Sequence, residues 1–275
     1  MTIASAQIVK VPVAGGDLEI ELRRVAPDDA RPLVLFLHGW TFDLRMWAPQ
    51  MEALSSRFSV VAMDRRGFGG STAPPGLDSE PDDVIAVLDT LAARSCILVG
   101  MSQACRVALE FAVRHPARAR ALVLQGPQLD GFLPAAKPAE TIPIEKYRAL
   151  AAGGKMDEMR RLWRAHPLMH TPNASASVLV DEMLQSYEGR DLLALSSRQL
   201  GIGAHELQKI PSPTLVVTGD QEAPWRRLVA DAIAYGAPDA RGLTIENAGH
   251  VCNLCNAESY NAVLAEFIEE VMRRK

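Results

Sequence analysis

The chain has no surplus of basic charge: 29 lysines and arginines stand against 33 aspartates and glutamates in 275 residues, a formal net charge of -4. That balance leaves no electrostatic footprint for nucleic acid or an anionic membrane surface, and a small neutral or weakly polar molecule is the expected partner. No apolar run is long enough to cross a bilayer, and Met1 to Ala14 lacks the basic flank and long apolar stretch of a secretion signal. A cytoplasmic location is the expectation. Cysteine is scarce as well. Cys96, Cys105, Cys252 and Cys255 are too few and too unevenly placed for a disulfide framework, which leaves reduced, buried thiols. Internal repeats, low-complexity tracts and sustained charge runs are also missing. Pro74-Pro75-Gly76 and Pro211-Ser212-Pro213 read as turn punctuation rather than linkers, so a single domain with a full core is expected from the 48% hydrophobic content.

What is present is a rhythm. Gln7 to Val13 and Leu18 to Val25 alternate apolar and polar residues around Gly15-Gly16-Asp17, the pattern of an antiparallel hairpin. After Pro27 come short apolar runs at Leu33 to Leu37, Phe58 to Met63, Cys96 to Val99, Ala121 to Leu124, Thr214 to Thr218 and Leu243 to Glu246. Amphipathic stretches separate or follow them, at Met46 to Ser55, Pro81 to Ala93, Gln103 to His115, Trp225 to Tyr235 and Ala257 to Arg273. Alternation of this kind predicts an α/β fold, a mostly parallel sheet with crossover helices. The rhythm breaks from about 128 to 209. Helix-like patches at Ile144 to Ala152, Met156 to His166, Ala176 to Ser186 and Leu192 to Leu200 replace strands there, and predict a helical cap inserted after the sixth strand. The core is then 1–127 and 210–275.

One serine sits where this rhythm turns from strand to helix. In Cys96-Ile97-Leu98-Val99-Gly100-Met101-Ser102-Gln103-Ala104-Cys105, four strand-forming residues end at a glycine and a helical pattern begins after Ser102. A nucleophile elbow, Gly-x-Ser-x-Gly, exposes its serine on such a strained turn. Gly100 is kept, whereas Ala104 stands where the second glycine is usual and adds bulk between helix and strand. A serine hydroxyl of ordinary pKa needs an imidazole to take its proton and a carboxylate to orient that imidazole. His250, in Ala248-Gly249-His250, lies between the last strand and the C-terminal helix and is the preferred base. His38, His115, His166, His170 and His205 are placed in a turn, at a helix end or in the cap. Two carboxylates compete for the third role after the strand Thr214 to Thr218. Asp220 follows Gly219 directly and suits a turn cap, while Glu222 is preferred because the loop can turn toward the histidine there. Two backbone amides are needed to hold an oxyanion. Gln103 after the serine and Trp40 in Phe36-Leu37-His38-Gly39-Trp40 are the candidates, with the Trp40 side chain free to pack against the following helix.

Taken in order, His38-Gly39-Trp40, Met46-Trp47, Asp64-Arg65-Arg66-Gly67-Phe68-Gly69-Gly70-Ser71, the Ser102 elbow, Gly219 to Glu222 and Ala248-Gly249-His250 resemble the α/β-hydrolase family over nearly the whole chain. The resemblance implies an eight-stranded, mostly parallel sheet and the chain order Ser, acid, His. It also places the acid three residues after Gly219, at Glu222, where the family usually has Asp. The segment Thr41 to Gln50 looks like the corresponding stretch of 3-oxoadipate enol-lactonases and related small-ester hydrolases.

Other patterns have plainer readings. Cys252-Asn253-Leu254-Cys255 has no second pair with which to build a zinc site, and inert packing or an adventitious disulfide is expected. Gly67-Phe68-Gly69-Gly70 lacks the register of a phosphate loop. His166 and His170 are separated by Pro167 and have no carboxylate with them. No metal and no organic cofactor are expected. Met156, Met159, Trp163, Met169, Met183 and Tyr187 form the cap core and an apolar roof over a substrate. The expected activity is hydrolysis of a small carboxylic ester, thioester or lactone through an acyl-enzyme. The alternatives are other chemistry on the same scaffold, such as carbon-carbon hydrolysis, perhydrolysis, a lyase or cofactor-free dioxygenase reaction, and a slow-turnover ligand receptor.

Overall fold

The computed structural model describes residues 5–23, 32–132, 140–194, 200 and 202–274. Eight strands make one sheet in the order β1-β2-β4-β3-β5-β6-β7-β8. They are β1 (Gln7–Val13), β2 (Gly16–Arg23), β3 (Leu33–Leu37), β4 (Val60–Met63), β5 (Cys96–Met101), β6 (Ala119–Gln125), β7 (Thr214–Gly219) and β8 (Ala240–Ile245). β2 runs antiparallel to both β1 and β4; every later pairing is parallel. The hairpin and the parallel core thus follow the two hydrophobic patterns of the sequence.

Central strands are buried on both faces, which is why they are continuous apolar runs. Along β3, Leu33, Leu35 and Leu37 enter one cluster with Val87, Val107 and Ile233. Those partners belong to α2 (Glu80–Thr90), α3 (Gln103–Arg114) and α8 (Pro224–Gly236). Val34 and Phe36 point the other way, into a cluster with Met51, Leu264 and Phe267 from α1 (Ala48–Leu54) and α10 (Ala257–Arg273). Each fully buried Leu, Ile or Phe contributes roughly 1.5–3 kcal/mol, so both helical layers are bound to the sheet by the same period-two alternation.

β8 begins three residues earlier than the Leu243 to Glu246 run. It is the sheet edge, where Arg241, Gly242 and Thr244 are exposed, and an edge strand does not read as an apolar run. The stretch from Met46 is also divided: Leu44–Trp47 is a tight turn of 3-10 helix capped by the Asp43 side chain, and the α-helix starts at Ala48 with Pro49 in its first turn.

Between β6 and β7 the chain leaves the sheet as a cap-like helical insert. It contains α4 (Ile144–Ala152), α5 (Met156–Arg164), α6 (Ala174–Ser186) and α7 (Arg190–Leu193). The expected helix from Leu192 to Leu200 is shorter and starts earlier, ending at Leu193; residues 195–199 lie outside the described ones. Buried cap side chains such as Tyr147, Met159, Trp163 and Met183 join the same hydrophobic cluster as α1 and α10, so the cap is packed onto the core. Among the described residues no helix is long and apolar enough to cross a membrane.

Candidate active site

Ser102 lies between β5 and α3 with φ 54° and ψ -111°, a backbone that non-glycine residues seldom adopt. Such a conformation costs about 1–3 kcal/mol and needs over-determined surroundings. Here its amide donates to Gln125 O on β6 at 2.8 Å. A Cβ at Gly100 would stand 2.9 Å from the Ala104 carbonyl oxygen, so this glycine is the one the close strand-to-helix approach requires. Ala104 is accommodated with its side chain fully buried. Cys105 strengthens the turn, its thiol donating to Gly100 O at 3.2 Å and Gln125 O at 3.4 Å.

His250 stands on the loop after β8, just before the short helix α9 (Cys252–Cys255). Its Nδ1 is 2.7 Å from Glu222 Oε2, with the two residues 6% and 2% exposed. The extra methylene of glutamate is taken up by folding back, since Oε1 accepts from the amide of the next residue, Ala223, at 2.9 Å. Burial pushes the Glu222 carboxyl upward, but the His250 charge and hydrogen bond, the Ala223 amide and Arg226 outweigh it and hold the group below its ordinary range. Gly126, at φ 52°, makes room for the pair, because a Cβ there would lie 2.6 Å from His250 Nδ1.

The competing carboxylate has a different task. Asp220 is exposed and accepts from the amide of Ala248 at 2.9 Å, tying the β7 loop to the one that carries His250. Hydrogen bonds from the backbone of Ala248 and Asn247 hold its pKa down. It is Glu222, not Asp220, that meets the histidine.

Trp40 and Gln103 line the same cavity as the serine. Gln103 is the first residue of α3, where helix amides lack an internal partner and the helix dipole favours negative charge. The loop with Trp40 passes close over Met101, the residue before the serine, where a Cβ at Gly39 would run into the thioether sulfur. Neither amide has an acceptor among the described residues. The Trp40 side chain shares a buried cluster with Trp47 and Met51 of the following helical segment. It turns up into the cap, its ring centroid 4.9 Å from Trp163 and 6.1 Å from both Tyr147 and Tyr187.

These groups converge on a cavity of about 420 Å³ lined by Ser102, His250, Trp40, Gln103, Phe42, Phe68, Met101, Trp163, Leu168 and Met169. Of the six expected roof residues, Trp163 and Met169 reach it. Met159, Met183 and Tyr187 are buried in the cap and Met156 packs against it. Arg66, Arg106 and Arg148 also line the cavity, and each is paired with a carboxylate, on Asp83, Asp130 and Glu145. The four cysteines are free and buried.

Several polar residues that hold the site gave little sequence signal. Gln125 ends a buried strand, and its Nε2 donates to His250 O at 3.1 Å and to Asn253 Oδ1 at 3.0 Å. Arg226 is 8% exposed and lies near Glu222; in the orientation of the Gln128 side-chain amide that satisfies both groups, Oε1 accepts from Arg226 Nη1 at 3.1 Å and Nη2 at 2.9 Å. Arg65 is fully buried, forks onto Glu80 at 2.6 and 3.0 Å, and donates to His38 O at 3.1 Å and Gln103 Oε1 at 3.0 Å. The dense Asp64 to Ser71 motif was the available signal for Arg65. Its partners are not legible without the fold.

Comparison with known proteins gives a consistent set. A family model described as "Alpha/beta hydrolase family" matches residues 34–266. A pimeloyl-[acyl-carrier protein] methyl ester esterase of Neisseria meningitidis is 27% identical over 90% of this chain and 98% of its own. A 2-(acetamidomethylene)succinate hydrolase of Mesorhizobium japonicum is 27% identical over 97% and 98%. Among solved structures, a thermophilic esterase from Thermogutta terrifontis is similar with a TM-score of 0.74 at 25% identity, covering 97% of this chain and 99% of that one. The fold is shared with an enol-lactonase from Burkholderia xenovorans, TM-score 0.77 at 21% identity, over 95% and 100%.

Proposed function

The chain belongs to the alpha/beta hydrolase family, and on that premise we propose that it is a serine hydrolase that cleaves a small carboxylic ester, thioester or lactone. The observation that carries this reading is the buried Glu222–His250 pair at 2.7 Å, opening on the same cavity that the strained Ser102 lines. Ser102 Oγ attacks the carbonyl carbon while His250 Nε2 takes the hydroxyl proton. Glu222, bonded to Nδ1, fixes the tautomer and stabilises the imidazolium. The tetrahedral oxyanion is held by the amides of Trp40 and Gln103. Collapse expels the alcohol or thiol, which leaves with the proton from His250, and an acyl-Ser102 ester remains. Water then enters, gives its proton to His250, and releases the acid, restoring Ser102. The cycle uses no metal or organic cofactor.

A cavity whose three described arginines are each paired with a carboxylate and whose roof carries Trp163 suits a neutral or weakly polar acyl chain. The similarity to the pimeloyl-[acyl-carrier protein] methyl ester esterase and to the thermophilic esterase supports the ester class. Functionally we divide the chain into a core of 1–127 and 210–275 and a cap of about 128–209 that sets specificity. A fluorophosphonate probe is expected to label Ser102. Ser102→Ala is expected to abolish that label and to lower kcat on short-chain esters and lactones by about three orders of magnitude or more. No label and no turnover by the wild-type protein would refute the hydrolase reading, and full turnover by Ser102→Ala would replace it with chemistry run by His250 and Glu222 without a covalent intermediate.

A further inference from the structure

The loop that carries the Trp40 amide is gripped by the cap at two consecutive residues. The Trp40 indole N–H donates to Asp191 Oδ2 on α7 at 2.7 Å, and the Thr41 hydroxyl accepts from the Trp163 indole N–H on α5 at 2.8 Å. Asp191 is itself fixed on its other oxygen, Oδ1, by the Tyr187 hydroxyl at 2.6 Å. Its neighbour Arg190 donates to Ser71 O at 2.8 Å and Gly69 O at 2.9 Å, which anchors α7 to the core independently of Trp40.

Thr41 is strained. Its φ of 68° puts a β-branched residue in the left-handed region, where one is rarely found, and such a conformation persists only when its surroundings hold it. The surroundings here come from the cap, as the Trp163 bond and the Trp40 ring packed on Trp163. Asp191 has no cation within salt-bridge distance among the described residues, so both its oxygens are committed to neutral donors, one of them on this loop.

We propose, resting on the hydrolase reading above, that Asp191 and Trp163 are positioning residues for the oxyanion hole: the cap not only roofs the substrate but sets the direction of the Trp40 amide. A lid that merely encloses substrate would change KM. A lid that aims an oxyanion donor changes kcat and the affinity for tetrahedral adducts, because that donor is used most strongly after the carbonyl has been attacked.

The test compares wild type, Asp191→Leu, Asp191→Asn and Trp163→Phe on a short-chain ester, with inhibition by an alkylboronic acid that forms a tetrahedral adduct on Ser102. Asp191→Leu is expected to lower kcat about ten- to a hundredfold and to weaken boronate binding by a similar factor, with KM within about twofold. Asp191→Asn is expected to stay within about threefold of wild type. Its Oδ1 can still accept from Trp40, and the Tyr187 hydroxyl, a donor or an acceptor, can reverse to accept from the amide. Should Asp191→Leu fail to fold, Trp163→Phe, which deletes the N–H donor to Thr41 together with part of the ring that packs on Trp40, is expected to lose about three- to tenfold in kcat and in boronate affinity together. Unchanged kcat and boronate affinity in folded variants, or a rise in KM alone, would overturn the positioning role while leaving the hydrolase intact. Absence of fluorophosphonate label on wild-type Ser102 would instead remove the hydrolase reading, and this role with it.

Discussion

His38 and His250 both follow the C-terminal ends of strands in the same sheet, β3 and β8, and their surroundings give them opposite characters. His38 is completely buried. Its Nδ1 is 2.8 Å from Gly39 O, and its Nε2 accepts from the Arg65 amide at 3.0 Å, so both ring nitrogens are occupied by backbone. Burial and the charge of Arg65 lower its pKa to about 3, which keeps the ring neutral. His250 has a carboxylate on Nδ1 and lines the cavity. A histidine at a strand end is therefore not a base by position. It becomes suited to proton transfer when one nitrogen is held by an acid and the other faces a space that a substrate can enter.

The largest expected effect tests the acid half of that contrast. Glu222→Gln keeps the volume but removes the charge that stabilises an imidazolium, and kcat is expected to fall by about three to four orders of magnitude. Asp220→Asn, two residues away, is expected to stay within about threefold, because its carboxylate serves a backbone amide at the surface. Equal losses in the two variants, measured on one ester, would erase the distinction between them.

Gly126→Ala probes the space around His250. The new methyl would sit 2.6 Å from His250 Nδ1 and 3.0 Å from Glu222 Oε2, on a backbone at φ 52°. Displacing the ring by a few tenths of an ångström is expected to cost about ten- to a hundredfold in kcat. Wild-type rates would mean that the Glu222–His250 geometry tolerates more movement than its packing indicates.

The last effect concerns His38 and is read in stability, not in rate. His38 has a folded pKa of about 3 against 6.5 in the unfolded chain. Between those values the unfolded state binds the extra proton, so the stabilisation is complete above pH 6.5 and is lost as pH falls toward 3. In denaturant titrations, the advantage of wild type over His38→Gln is expected to shrink by about 1.4 kcal/mol for each pH unit below 6.5. A constant difference would show that His38 is not held neutral by burial. Using the difference between two proteins removes the contribution of Asp64, whose buried carboxyl is raised to about 7 and shifts stability in the opposite direction.

Much of the fold was legible because parallel strands buried on both faces have to be apolar at every position, as Leu33 to Leu37 and Cys96 to Val99 are. Edge strand β8 escaped that logic, and so did the short helices at Arg190–Leu193 and Cys252–Cys255, which form only where tertiary contacts support them. The elbow was legible through Gly100, a residue the close approach demands whatever surrounds it.

By itself, the sequence determined the α/β alternation, the position of a cap between two strands, and the strand ends on which a serine, a histidine and two acids would stand, since periodicity and turn chemistry act over a few residues. Only the tertiary structure decided which acid meets the histidine, which histidine is sealed away, and that Trp40 turns into the cap to meet Asp191, a partner 151 residues later in the chain. These are choices of direction and burial between residues far apart in sequence, and a side chain's direction is set by the close packing around it, not by its neighbours along the chain.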